Sequence, residues 1–344
     1  MTAHQHIEAA PVGAMPERWR KSLMLLGAIE LVIIALFFGD AADMGSIWWN
    51  SSTYGHCLIV APIIAWLLWQ RRDLLVQLTP RASLWGLAVI AVAASIWTAG
   101  EATHISLFRH AGLVLMLQGS VIAILGLSVT RGLLFPLFYA VFLIPFGDEI
   151  VPALQLITAD LSMFLLGLIG LPAHIEGIYI TTPSGYFRVA EACSGVKFLI
   201  AMIALGALAA NLCFHSWRRR IAFMAICIIV PIIANGIRAF GTIYIADKAG
   251  IEFAASFDHI VYGWIFFAIV ITIILAIGWR FFDRDIDELA FDPEAIAGTP
   301  NGPRVAALPV AAMTIGLAAL ASFTGSLVSG AVQAPIDRIP SLTD

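Results

Sequence analysis

Long apolar runs dominate the chain, and most of its arginines sit in the short stretches between them. The segments Ser22–Gly39, Gly55–Gln70, Leu84–Ala99, Ala111–Ser128, Gly132–Phe146, Ser194–Phe214, Ile221–Phe240, Asp258–Trp279 and Val305–Thr324 each approach the ~20 apolar residues that a helix needs to cross a ~30 Å hydrocarbon core. Only helices and closed barrels satisfy their backbone in lipid, and the two-residue alternation of a membrane barrel is too weak here. The pattern predicts an all-α polytopic membrane protein of about nine transmembrane helices. Residues 1–21 form a cytoplasmic segment, 22–279 the main transmembrane domain, 280–304 a cytoplasmic linker, and 305–344 an accessory helix with its tail.

Composition agrees. Of 344 residues, 60% are hydrophobic and 12% charged, about half the charged share of a soluble protein. A soluble domain of this size has no interior large enough for that apolar content. The net charge is −4, and no basic tract points to nucleic acid. The first apolar run, Leu23 to Phe38, lacks a small-residue cleavage site and reads as a retained anchor.

The basic residues orient the bundle. Arg18, Arg20 and Lys21, then Arg71, Arg72 and Arg81, then Arg131, then Arg218 to Arg220, then Arg280 and Arg284 all fall on one face if there are nine crossings. That face is predicted to be cytoplasmic; Arg109 and Arg188 are the outer exceptions. Val151–Gly170 is apolar but carries Gln155, Thr158, Asp160 and Ser162. If it crossed as a tenth span, Arg218–Arg220 would lie outside, so it is assigned to the outer interface or to a re-entrant helix. The β-branched and aromatic stretch from His174 to Ala190, interrupted by Pro183-Ser-Gly185, predicts a short outer hairpin.

Polar residues at membrane depth are costly and therefore informative. Cys193, in Glu191-Ala-Cys-Ser-Gly195, stands at the outer mouth of one crossing. Arg238, in Asn235-Gly-Ile-Arg238, stands near the outer end of the next. His259, after Asp258, opens the one that follows. Successive antiparallel helices are neighbours as a rule, so a thiol, a guanidinium and an imidazole are predicted to meet at one depth. A thiolate attacks an amide carbonyl; an imidazole pairs with it and then protonates the leaving amine; a fixed Arg stabilises the oxyanion. A helix starting at Ser194 would favour the thiolate, and Gly195 would admit a substrate backbone. Glu191 and Asp258 are candidate tuners of the imidazole, Asp258 also a helix cap. Asn235 is a candidate support for Arg238, and Tyr54 and His56 are candidates to line the site. Glu101, His104 and Arg109 read as a solvated turn.

Cys213 and Cys227 read as packing residues. No C-x-x-C or zinc spacing occurs, so no metal or cofactor is expected. A second reading stays open: a Cys57–Cys193 disulfide in an oxidising outer compartment, within a non-enzymatic component of polysaccharide or glycolipid export.

Taken together, Glu191-Ala-Cys-Ser-Gly195, Asn235-Gly-Ile-Arg238 and Asp258-His-Ile-Val-Tyr-Gly263 resemble the exosortase/archaeosortase family, nearest to the exosortase A type. The similarity runs from about Tyr54 to about Trp279. Lys197 stands where members often carry Arg, and the early motif reads Tyr54-Gly-His-Cys57. The resemblance implies a multi-pass cysteine transpeptidase of the bacterial inner membrane, working on its outer, periplasmic face. Its partners would be exported proteins ending in a short motif such as Pro-Glu-Pro, a transmembrane helix and a basic cluster, with an amine, a glycolipid or water as acceptor. The family's catalytic Cys, Arg and His fall by motif on Cys193, Arg238 and His259.

Overall fold

The computed structural model describes residues 15–252, 263–285, 288, 290–297, 303 and 305–332. It shows a multi-pass, almost wholly helical membrane protein. In chain order the helices are α1 (Glu17–Leu36), α2 (Phe38–Asn50), α3 (Cys57–Leu75), α4 (Leu84–Thr103), α5 (Ser106–Gly132), α6 (Leu134–Tyr139), α7 (Val151–Leu168), α8 (Val196–Cys213), α9 (Trp217–Ala249), α10 (Gly263–Trp279), α11 (Pro293–Ala297) and α12 (Ala307–Val332). Between α7 and α8 lies an antiparallel sheet of β1 (His174–Glu176), β2 (Tyr179–Thr182) and β3 (Gly185–Arg188), in that spatial order. The predicted hairpin is present, with a third strand added.

Among the described residues six helical segments are long and apolar enough to span, or seven if the bent pair α1–α2 counts as one. The difference from about nine has local causes. The first predicted crossing breaks at Phe37, where the chain turns by 85°. α3 carries Gln70-Arg-Arg-Asp73 near its end, too polar for its length. Gly132–Phe146 yields only the run Leu134–Leu143, whose ten residues reach about 15 Å, half a bilayer core. Conversely, Asp148–Leu168, expected at the outer interface or as a re-entrant helix, is long and apolar enough to span.

The described chain divides into two compact units. One comprises Met1–Gly45, Ala61–Ile144 and Leu289–Asp344; the other comprises Ser46–Val60 and Pro145–Glu288. In the first, α4 and α5 pack antiparallel at close range. A Cβ on Gly86 would lie 2.2 Å from the Ala123 backbone, and one on Gly119 2.6 Å from Ile90. Such small-residue contacts are how apolar helices associate in lipid. Near the α1–α2 bend, buried Asp40 accepts a 2.8 Å hydrogen bond from Trp97 Nε1 and lies 3.5 Å from Arg109, which also pairs with Glu101 at 3.4 Å. Glu101 and Arg109 are therefore partners in a half-buried cluster, not members of a solvated turn.

The second unit holds the candidate residues. α9 is its axis. α7 lies beside the later half of α9 and runs parallel to it: Thr158 meets Asn235, and Leu161 meets Gly236. Farther along, Ala159, Leu166 and Ile243 share a core with Ile180 and Val189 of the sheet region. α8 and α10 flank the earlier half of α9, around Met202, Phe223, Cys227 and Ile274. At the Arg218–Arg220 end, Asp283 accepts 2.8 Å from the His215 backbone N–H and 3.2 Å from Arg219, while Arg284 donates to the Asn211 carbonyl at 2.8 Å. The start of the predicted linker is thus tied to the α8–α9 turn.

Candidate functional site

Asn235, Arg238 and Thr242 recur at helical spacing on one face of α9, and all three line a cavity of about 80 Å³. From Arg220 to Arg238 there are eighteen residues, about 27 Å of helix. Arg238 therefore stands almost a full bilayer core away from the Arg218–Arg220 cluster, and it is buried, 9% exposed. The opposite wall comes from the end of β3 and the loop after it: Phe187, Arg188, Val189 and Cys193. Ile180 and Ile243 close the apolar side.

The loop bearing Cys193 is held by its backbone. Glu191–Cys193 forms a 3-10 turn, with Cys193 N–H donating to Ala190 O at 2.9 Å and Ser194 N–H to Glu191 O at 3.0 Å. Asn235 Nδ2 donates to the Cys193 carbonyl at 2.8 Å and to Thr158 Oγ1 at 3.0 Å. Gln155 Nε2 donates to Val189 O at 2.7 Å. Two side chains of α7 and one of α9 therefore fix both ends of the Val189–Cys193 segment. Each is buried, where a lost hydrogen bond is costly.

α8 begins at Val196, two residues later than predicted, because Gly195 caps it in the left-handed region at φ +82°. A Cβ there would fall 2.6 Å from Asn235 Cγ. Gly195 thus permits both the turn and the approach of Asn235. Ser194 is buried, its Oγ accepting from Val196 N–H at 3.4 Å; Glu191 is exposed.

Cys193, Arg238 and Asn235 are brought together; Tyr54 and His56 are not brought to this cavity. Tyr54 packs with Cys57, Val151, Val196 and Ile200 on another face of α8. Burial, then the carboxylate of Asp148, push its phenol well above the usual range. His56 contacts Thr53 O at 3.2 Å and Cys57 Sγ at 3.7 Å. Cys57 and Cys193 are both thiols, not half-cystines. They belong to separate packing clusters, which overturns the disulfide. Asp258 and His259 lie outside the described residues; α10, which follows them, brings Phe267 against Phe198 of α8 with ring centres 4.5 Å apart. Among the described residues no cluster of three or more His, Cys, Asp or Glu is placed to hold a metal.

The sequence reading does not tie Gln155, Thr158 or Arg188 to the site. Gln155 and Thr158, with Ser162, recur at three- and four-residue spacing along α7, a signal visible in the sequence. Arg188 reads there only as an exception to the charge rule.

A family model described as transmembrane exosortase matches residues 48–276, about two thirds of the chain. The chain belongs to the transmembrane exosortase family. Neither a curated protein nor a solved structure matches it. The exosortase match takes in every residue of the cavity and extends across His259.

Proposed function

We propose that this exosortase is a membrane cysteine peptidase or transpeptidase that removes the C-terminal sorting signal of exported proteins. The observation that carries the reading is the shared cavity: Cys193 and Arg238 line it from two sides, with Asn235 fastened to the Cys193 carbonyl. The Cys193 thiolate attacks the peptide carbonyl carbon, and Arg238 stabilises the oxyanion. The C–N bond then breaks, the amine leaves with a proton from His259, and a thioester remains on Cys193. An amine acceptor or water attacks the thioester and releases the thiolate. Asn235 and Gly195 act as positioning residues for the thiol loop; Glu191, Ser194 and Asp258 are supporting residues.

On this reading the Arg218–Arg220 end is cytoplasmic and the cavity faces the periplasm, where an exported substrate anchored by its own helix would present its signal. A reporter with a C-terminal motif, an apolar helix and a basic cluster tests it. Wild type shortens the reporter, and Cys193→Ala leaves it full length while inserting normally. Equal shortening by both proteins would refute the proposal.

A further inference from the structure

The cavity contains a second guanidinium. Arg188 ends β3, is exposed, and lines the same cavity as Cys193 and Arg238. Its backbone is held on both sides of the chain. It sits opposite Tyr179 in the β2–β3 ladder, and the next residue, Val189, donates to Ile178 O at 2.9 Å and accepts from Gln155 at 2.7 Å. The position of its Cα is therefore set by the same contacts that set the thiol loop.

Among the described residues no carboxylate lines this cavity. Among the described residues Arg188 makes no ion pair, and Glu176 of β1 is paired with His174 at 3.6 Å. The described walls beside it, Ile180, Phe187, Val189 and Ile243, are apolar, while the exposed guanidinium itself stays in contact with solvent. A planar fork of N–H donors at the edge of an apolar cavity matches a carboxylate, which it binds in bidentate fashion.

We propose that Arg188 is a specificity-determining residue that binds a carboxylate on the substrate beside the scissile bond. This rests on the reading of Cys193 as the nucleophile. Binding of the carboxylate is non-covalent and leaves the bond changes at Cys193 as written above. A lipid phosphate is the other source of an anion for this guanidinium, and the test separates the two.

Three reporters differing at one motif position, Glu, Gln or Lys, are presented to membranes containing wild type, Arg188→Gln, Arg188→Glu or Cys193→Ala at matched abundance. Wild type is expected to cleave the Glu reporter on the order of tenfold faster than the Gln reporter, the usual size for a charge-assisted hydrogen bond. Arg188→Gln cleaves both at the wild-type Gln rate, and Arg188→Glu prefers the Lys reporter, a gain that a misfolded protein cannot show. The proposal is overturned if wild type does not discriminate or if Arg188→Gln keeps the wild-type ratio. It is also overturned if the variants lower all reporters equally, as a lipid-bound or purely structural arginine would. If Cys193→Ala cleaves the reporters, or wild type cleaves none, the underlying reading fails instead.

Discussion

Asn235, one helical turn before Arg238, donates a 2.8 Å hydrogen bond to the backbone carbonyl of Cys193, forty-two residues earlier in the chain. One amide thus couples the helix that carries the guanidinium to the loop that carries the thiol. Its other bond, to Thr158, brings in α7.

Replacing Asn235 by Ala removes both bonds and leaves the part-buried Cys193 carbonyl and the buried Thr158 hydroxyl short of a partner, a loss of about 1–3 kcal/mol. The expected outcome is a lower melting temperature in detergent together with reporter cleavage down at least about tenfold per folded molecule. A variant that melts early but cleaves at the wild-type rate would reduce Asn235 to a structural role.

Gly195→Ala should be more damaging. A left-handed conformation costs a non-glycine residue about 1–2 kcal/mol, and the added methyl meets Asn235 Cγ at 2.6 Å. Combining it with Asn235→Ala removes the nearest obstacle. The double variant is expected to recover part of the lost melting temperature without recovering cleavage.

Tyr54 gives the contrasting case. Tyr54→Phe removes the hydroxyl, whose titration the Asp148 carboxylate influences, but leaves the ring in its apolar cluster. Stability should fall by about 1 kcal/mol and cleavage should stay near wild type, because the side chain does not line the cavity. A loss of cleavage at unchanged stability would move Tyr54 into the site.

At the other end of the unit, the His215 backbone N–H holds the Asp283 carboxyl below its usual range. The contribution is fully present above the ordinary carboxylate pKa of about 3.9 and is lost as pH falls through the lower folded value. Melting curves of wild type and Asp283→Asn should differ at pH 6 and converge toward pH 3. A constant gap across that range would mean that the carboxylate charge is not what holds the clasp.

The helical class, the hairpin and the meeting of Cys193 with Arg238 are legible in the sequence, because each follows from local pattern plus the rule that successive helices are neighbours. What joins distant segments is not legible. The polar face of α7 is visible as Gln155, Thr158 and Ser162, but its partners at Val189, Asn235 and Gly236 come from other elements. The Asp40–Trp97–Arg109 cluster likewise joins residues 57 apart and more, so Arg109 looks solvated until the fold is known. The number of crossings is hardest to read where a helix bends without proline, at Phe37, or stops after ten residues, at Leu143. Arg188 reads as an outer exception to the charge rule, and that rule, which speaks of faces, does not show that it lines the cavity.

The most direct test of the thioester is interception by hydroxylamine. Wild-type membranes processing the reporter with hydroxylamine present should yield a new C-terminus bearing a hydroxamate, read by mass spectrometry, and Cys193→Ala membranes should yield no cleaved reporter at all. Cleavage that gives only a free carboxylate in both proteins, unaffected by hydroxylamine, would contradict a covalent intermediate on Cys193.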